Sequence, residues 1–178
     1  MASKSFRVTF SLDESDVAYF RRLYQTAKKN APLDHPERVV NQVRDTVSTV
    51  RERAKLPKFV AETISTLETL IQMLEDEDYA LPRTVASRVV AALAYFADAE
   101  DLIPDHLPAL GFLDDAIMVK FVEQELRDEL SAYRKFRKFR EGAEQRPWTR
   151  IARERLPRRL EEYRKRLRSE IQARKQNA

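Results

Sequence analysis

The chain has 178 residues, only two glycines and no cysteine. So little glycine leaves few positions for a positive φ, which argues against a turn-rich β-sandwich or a glycine-rich nucleotide loop. Without cysteine there is no disulfide framework, zinc ribbon or thiol nucleophile. Charged residues make up 35% and hydrophobic residues 43%, the balance of a soluble, helix-rich domain long enough to bury one core.

The net charge of +4 is spread unevenly: +5 over residues 1–61, −12 over 62–129 and +11 over 130–178. Two consequences are open. The basic end can neutralise the acidic middle within one molecule, or it can meet an external polyanion such as RNA, DNA or anionic lipid. The longest apolar run, Val89 to Ala97, is too short to span a bilayer. No secretory signal pattern opens the chain, so the expected location is cytoplasmic, with peripheral contact to an anionic membrane surface left open.

In chain order, Phe6, Val8 and Phe10 alternate with polar residues, which predicts a short strand or extended arm, and strand pairing would imply a homodimer. Ser11 and Glu14 have capping-box spacing for a first helix carrying Val17, Phe20, Tyr24 and Ala27 and ending near Asn30. Val40, Val43, Val47 and Val50 predict a second helix from Pro36 to about Ala54, one that tertiary packing must hold because valine is a poor helix former. Pro57 opens a third with Val60, Ile64, Leu67, Ile71 and Leu74 on one face. It ends in the acidic run Glu75–Asp78, unfavourable at a helix C-terminus unless a basic partner sits nearby. Pro82 opens a fourth with Val85, Val89, Leu93 and Phe96.

Beyond an irregular stretch with Pro104, Pro108 and Gly111, a long helix is expected from Asp114 to Arg140. A last helix then carries Trp148, Ile151, Leu156, Leu160, Tyr163, Leu167 and Ile171, with Pro157 expected to kink or restart it. Its narrow apolar seam suits an antiparallel neighbour, plausibly the 114–140 helix. The fold class is therefore all-α, a compact bundle of five to six helices. The expected domain spans residues 1–142, and residues 143–178 form a basic C-terminal helical extension packed on it.

One stretch is not generic. Residues 101–115 read DLIPDHLPALGFLDD: Asp101, Ile103, Pro104 and Asp105, an apolar link, then Gly111, Asp114 and Asp115. This resembles the signature of the YkvA-like family, a bacterial domain of unknown function, over about residues 81–124. The resemblance implies a helical fold and no established activity; the family usually has an apolar residue where His106 stands. Read from the residues alone, Asp101, Asp105, Asp114 and Asp115 can cap helices and bind turn N–H groups, Asp114 standing where an N-cap would go. They can also converge on a hard cation such as Mg²⁺ or Ca²⁺, for a metal-binding protein or a metal-dependent hydrolase, or receive an arginine such as Arg134, Arg137 or Arg140.

His35 and His106 both lie in Asp-His turns near proline and read as exposed turn residues. No nucleophile elbow, P-loop or dinucleotide fingerprint is present. The leading expectation is thus a non-catalytic binding or adaptor protein with no cofactor. Arg137, Lys138, Arg140, Arg153, Arg158, Arg159, Arg164 and Arg168 would contact an acidic partner: nucleic acid, ribonucleoprotein, acidic protein or an anionic surface.

Overall fold

The computed structural model describes residues 11–52, 56–97, 113–145 and 150–177. Within them are seven helices: α1 (Glu14–Asn30), α2 (Pro36–Arg51), α3 (Lys58–Glu75), α4 (Arg83–Ala97), α5 (Leu113–Glu125), α6 (Arg127–Glu144) and α7 (Arg150–Gln176). The described residues contain no strand, so the chain is all-α. The segment expected to be extended, Phe6 to Phe10, lies outside them.

Helix α1 starts two residues later than its capping-box spacing suggested. Asp13, extended at φ −82° and ψ −179°, accepts the Ser15 and Asp16 N–H groups at 2.7 and 2.9 Å. Asp16 returns the contact by accepting the Asp13 N–H at 3.1 Å. A carboxylate at N-cap with another three residues on satisfies the first orphan donors of the helix reciprocally, as Ser11 and Glu14 would have done for a helix beginning two residues earlier.

The core runs through the whole described bundle. α4 packs against α1, α2 and α3, and α3 also meets α5 and α6. Accordingly α4 buries Val89, Val90, Ala91, Ala92, Leu93 and Phe96, nearly all around its axis, as a helix surrounded by others must. In α2, Val39, Val40, Val43, Val47 and Val50 are all buried; their packing overrides a weak helix propensity. α3 buries Val60, Ile64, Leu67, Leu70, Ile71 and Met73.

The expected 114–140 helix is two helices. Leu126, at φ −104° and ψ 19°, departs from helical geometry while its side chain is fully buried. The helical hydrogen-bond ladder closes on it from both sides: Leu126 donates to the Val122 carbonyl at 2.9 Å and accepts from Leu130 at 2.8 Å, while the Glu125 carbonyl receives Arg88 at 3.0 Å. The break seats Leu126 in the core, and neither proline nor glycine stands near it to cause it. Following it, α7 runs antiparallel along α6. Phe139 stacks on Tyr163 with centroids 4.3 Å apart, Lys135 pairs with Glu170, and Asp128 pairs with Arg174. Leu160 and Leu167 join the common core. Pro157 sits inside a continuous helix.

Candidate basic interface and the turn it clasps

The acidic end of α3 does have its basic partner. Asp76, with a side chain only 5% exposed, receives Arg140 through both terminal nitrogens at 2.8 Å. The Tyr133 hydroxyl donates to it at 3.1 Å and the Tyr79 N–H at 3.0 Å. Burial works against the charged carboxylate, but Arg140, the Tyr79 N–H and the Tyr133 hydroxyl together hold its pKa below the usual 3.8. Asp78 takes a second Arg140 contact at 3.2 Å.

Helix α7 grips the same turn through its backbone. Arg164 donates to the Asp78 carbonyl at 2.9 Å, and Arg168 donates to the carbonyls of Tyr79, at 3.0 Å, and Ala80. Ala80 has a φ of 44°, a left-handed conformation that costs a non-glycine residue roughly 1–2 kcal/mol. The guanidinium bonds to the neighbouring carbonyls hold it there. Burial and the adjacent Arg164 charge lower the Arg168 pKa. Tyr79 is buried between Tyr133 and Phe136, with centroids 5.0 and 5.2 Å away. Burial, only partly offset by Arg168, pushes its hydroxyl up to about 12.

A second charge network ties five helices. Glu129, whose side chain is 4% exposed, takes Arg88 at 3.0 Å and Lys175 at 2.9 Å. Arg88 also reaches the Glu125 carbonyl at 3.0 Å, and the Glu125 carboxylate takes Lys28 at 2.7 Å. The buried carboxylate therefore has two cations, the condition under which an internal ion is tolerated.

These contacts divide the eight cations singled out in the sequence. Arg137 donates to Gln72 at 2.6 Å and, with Arg140, Arg164 and Arg168, faces the molecule's own α3–α4 turn. Lys138, Arg153, Arg158 and Arg159 are exposed. Arg158 pairs with Glu162 on its own helix at 2.9 Å, and Arg159 lies over the Phe139 ring at 5.5 Å. Sequence reasoning passed over the exposed Arg127 and the role of Arg134. Both share the outward side of α6 with Lys138, a grouping visible in their 7- and 4-residue spacing.

The aspartate motif is only partly within the described residues. Asp101, Asp105, His106 and Gly111 lie outside them. α5 begins at Leu113, so Asp114 and Asp115 both stand in its first turn rather than Asp114 forming the N-cap; there their charge suits the positive helix end. Asp114 is buried at 2% exposure. Arg140, one of the arginines that could have met this motif, forks onto Asp76 and Asp78. Among the described residues, no three His, Asp or Glu side chains gather as a metal-holding group. His35 is exposed and lies 3.3 Å from Glu37.

No helix among the described residues is long and apolar enough to cross a membrane. The family described as a protein of unknown function (DUF1232) matches residues 87–121, which span most of α4, the aspartate motif and the first half of α5. The uncharacterized membrane protein YkvA of Bacillus subtilis (strain 168) is 36% identical over 80 residues, covering 42% of this chain and 74% of that protein. No solved structure matches. With its helical fold, the matching α4–α5 region and that identity, the chain belongs to the YkvA-like family of unknown function.

Proposed function

We propose that the chain is a non-catalytic helical binding protein that meets an acidic partner through the outward cations of α6 and α7. The observation that carries this reading is the division of the basic block. Arg137, Arg140, Arg164 and Arg168 serve the fold, whereas Arg127, Lys138, Arg153 and Arg159 are exposed with no carboxylate partner among the described residues, and exposed Arg134 acts on Glu123 through its charge alone. Excess positive charge on one side of a molecule attracts polyanions over the range of the Debye length. The relative's description as a membrane protein supports an anionic surface among the candidate partners.

The test is retention on heparin at low and high salt, comparing the whole chain with an Arg134→Glu, Lys138→Glu, Arg159→Glu variant. If about six cations meet phosphates or sulfates, the logarithm of affinity falls with that of salt at a slope near −5. The variant elutes earlier and its slope shrinks; equal, salt-independent elution of both removes the reading.

A further inference from the structure

We propose that the stripe of cations along α5 and α6, with the apolar groove at its α5 end, is a docking face for an anionic lipid surface. This rests on the reading of the chain as a binder of acidic partners and names the class of partner. Lys120 and Gln124 on α5, and Arg127, Ser131, Arg134 and Lys138 on α6, stand at intervals of four and three residues, which keeps each run along one side of its own helix. Across the α5–α6 junction the two runs meet at Glu123, which Lys120 holds at 2.8 Å and on which the Arg134 charge also acts. None of these six positions is a carboxylate. Lys120, paired with Glu123 at 2.8 Å, still keeps 64% of its side chain exposed, and Arg127, Arg134 and Lys138 are exposed.

At the Lys120 end, a groove of about 250 Å³ opens between α1 and α5. Leu12, Val17, Ile117 and Phe121 line it, with Arg21 and Lys120 among its walls. Leu12 is 36% exposed and Arg21 is exposed. Cations beside an apolar slot match the layered chemistry of a bilayer surface, phosphate outside and acyl chain beneath. A nucleic acid would ask something different: single-stranded binding relies on aromatic rings offered to bases, and the stripe carries no aromatic residue. The groove's one ring, Phe121, is half-buried.

The experiment is co-sedimentation of the full chain with vesicles of phosphatidylcholine alone and of phosphatidylcholine with phosphatidylglycerol, beside titrations with poly(U) and heparin. Each cation near an anionic leaflet strengthens binding roughly fivefold. The Arg127→Glu, Arg134→Glu variant therefore loses about 30-fold or more on the anionic vesicles. A Leu12→Ser variant, altered at the groove's exposed edge, loses a few-fold with unchanged melting. Circular dichroism of both variants establishes that they remain folded. Binding to anionic vesicles that both changes weaken, with none to phosphatidylcholine alone, supports the proposal. Salt-sensitive binding to poly(U) or heparin without vesicle binding overturns the lipid assignment and leaves the acidic-partner reading standing. Vesicle binding untouched by the charge reversals overturns the stripe as the docking face. Absence of binding to all three probes removes both.

Discussion

Replacing Arg140 with methionine should expose how strongly the α3–α4 turn depends on one guanidinium. Arg140→Met keeps a long apolar stem over the Phe136 ring, where the guanidinium now sits 5.6 Å from the centroid. It deletes two contacts at 2.8 Å to Asp76 and one at 3.2 Å to Asp78. Stranding one member of a buried pair costs about 3–5 kcal/mol. Arg140 retains 23% side-chain exposure, so water relieves part of the loss and the lower end, about 3 kcal/mol, is expected. For a chain of this size that lowers Tm by roughly 6–12 °C, read by thermal circular dichroism.

The pH dependence fixes the cause. In the native chain Asp76 has a depressed pKa, so it contributes stability above its unfolded value near 3.8, and that contribution fades as pH falls through the folded value. In the variant, burial acts without Arg140 and raises the Asp76 pKa, so the variant's penalty is largest near neutral pH and shrinks on protonation. The gap between the two proteins therefore closes below about pH 4. Adding Asp76→Asn to Arg140→Met should recover much of the lost Tm, because no buried charge is then left unpaired. A single variant melting within about 2 °C of the native chain, with a gap indifferent to pH, would refute the reasoning.

Glu129→Gln strands Arg88 and Lys175 around a neutral amide and should lower stability by about 2–3 kcal/mol in urea unfolding, with m unchanged. Ala80→Gly should relieve the left-handed strain and raise stability by up to about 1 kcal/mol, seen as a higher urea midpoint. A lower midpoint would mean that the lost side chain or added chain entropy outweighs the strain. Asp13→Ala should speed hydrogen exchange at the Ser15 and Asp16 amides. Exchange in the α6–α7 pair should not change, since that pair packs apart from this cap.

What could be read from the sequence was whatever repeats on a helical period. The stripes of α2, α3 and α4 appear as buried faces because apolar spacing and helix geometry are the same signal. Antiparallel packing of α7 was legible from a narrow seam facing one neighbour. The Leu126 adjustment was not, because a buried leucine in a continuous apolar pattern looks the same whether its backbone is helical or slightly unwound. The cap moved from Ser11 to Asp13 because two overlapping capping patterns compete and only local backbone geometry selects one. At the candidate site, summing charge in blocks hid the decisive distinction. Arg140, Arg164 and Arg168 are chemically identical to Arg127, Arg134 and Arg153 in a tally, and only the tertiary position of residues 76–80 separates those that clasp a turn from those that face water.

That separation also explains the strongly acidic middle. Its carboxylates draw cations from both ends of the chain: Glu75 takes Arg44, Glu68 takes Arg51 and Glu125 takes Lys28 from the first block. Asp76 takes Arg140, Asp128 takes Arg174 and Glu129 takes Lys175 from the last. Unlike charges distant in sequence thus reinforce the order in which helices pack, and like charges oppose the alternatives. The C-terminal block, at +11, has more cations than these pairs absorb. Had neutralising the acidic middle been the basic block's whole role, its outward positions could be any polar residue. Arg127, Arg134 and Lys138 instead place a cation at three of the four successive positions on the outward face of α6, Ser131 being the fourth, and their approach to an anion breaks no hydrogen bond or close ion pair seen among the described residues.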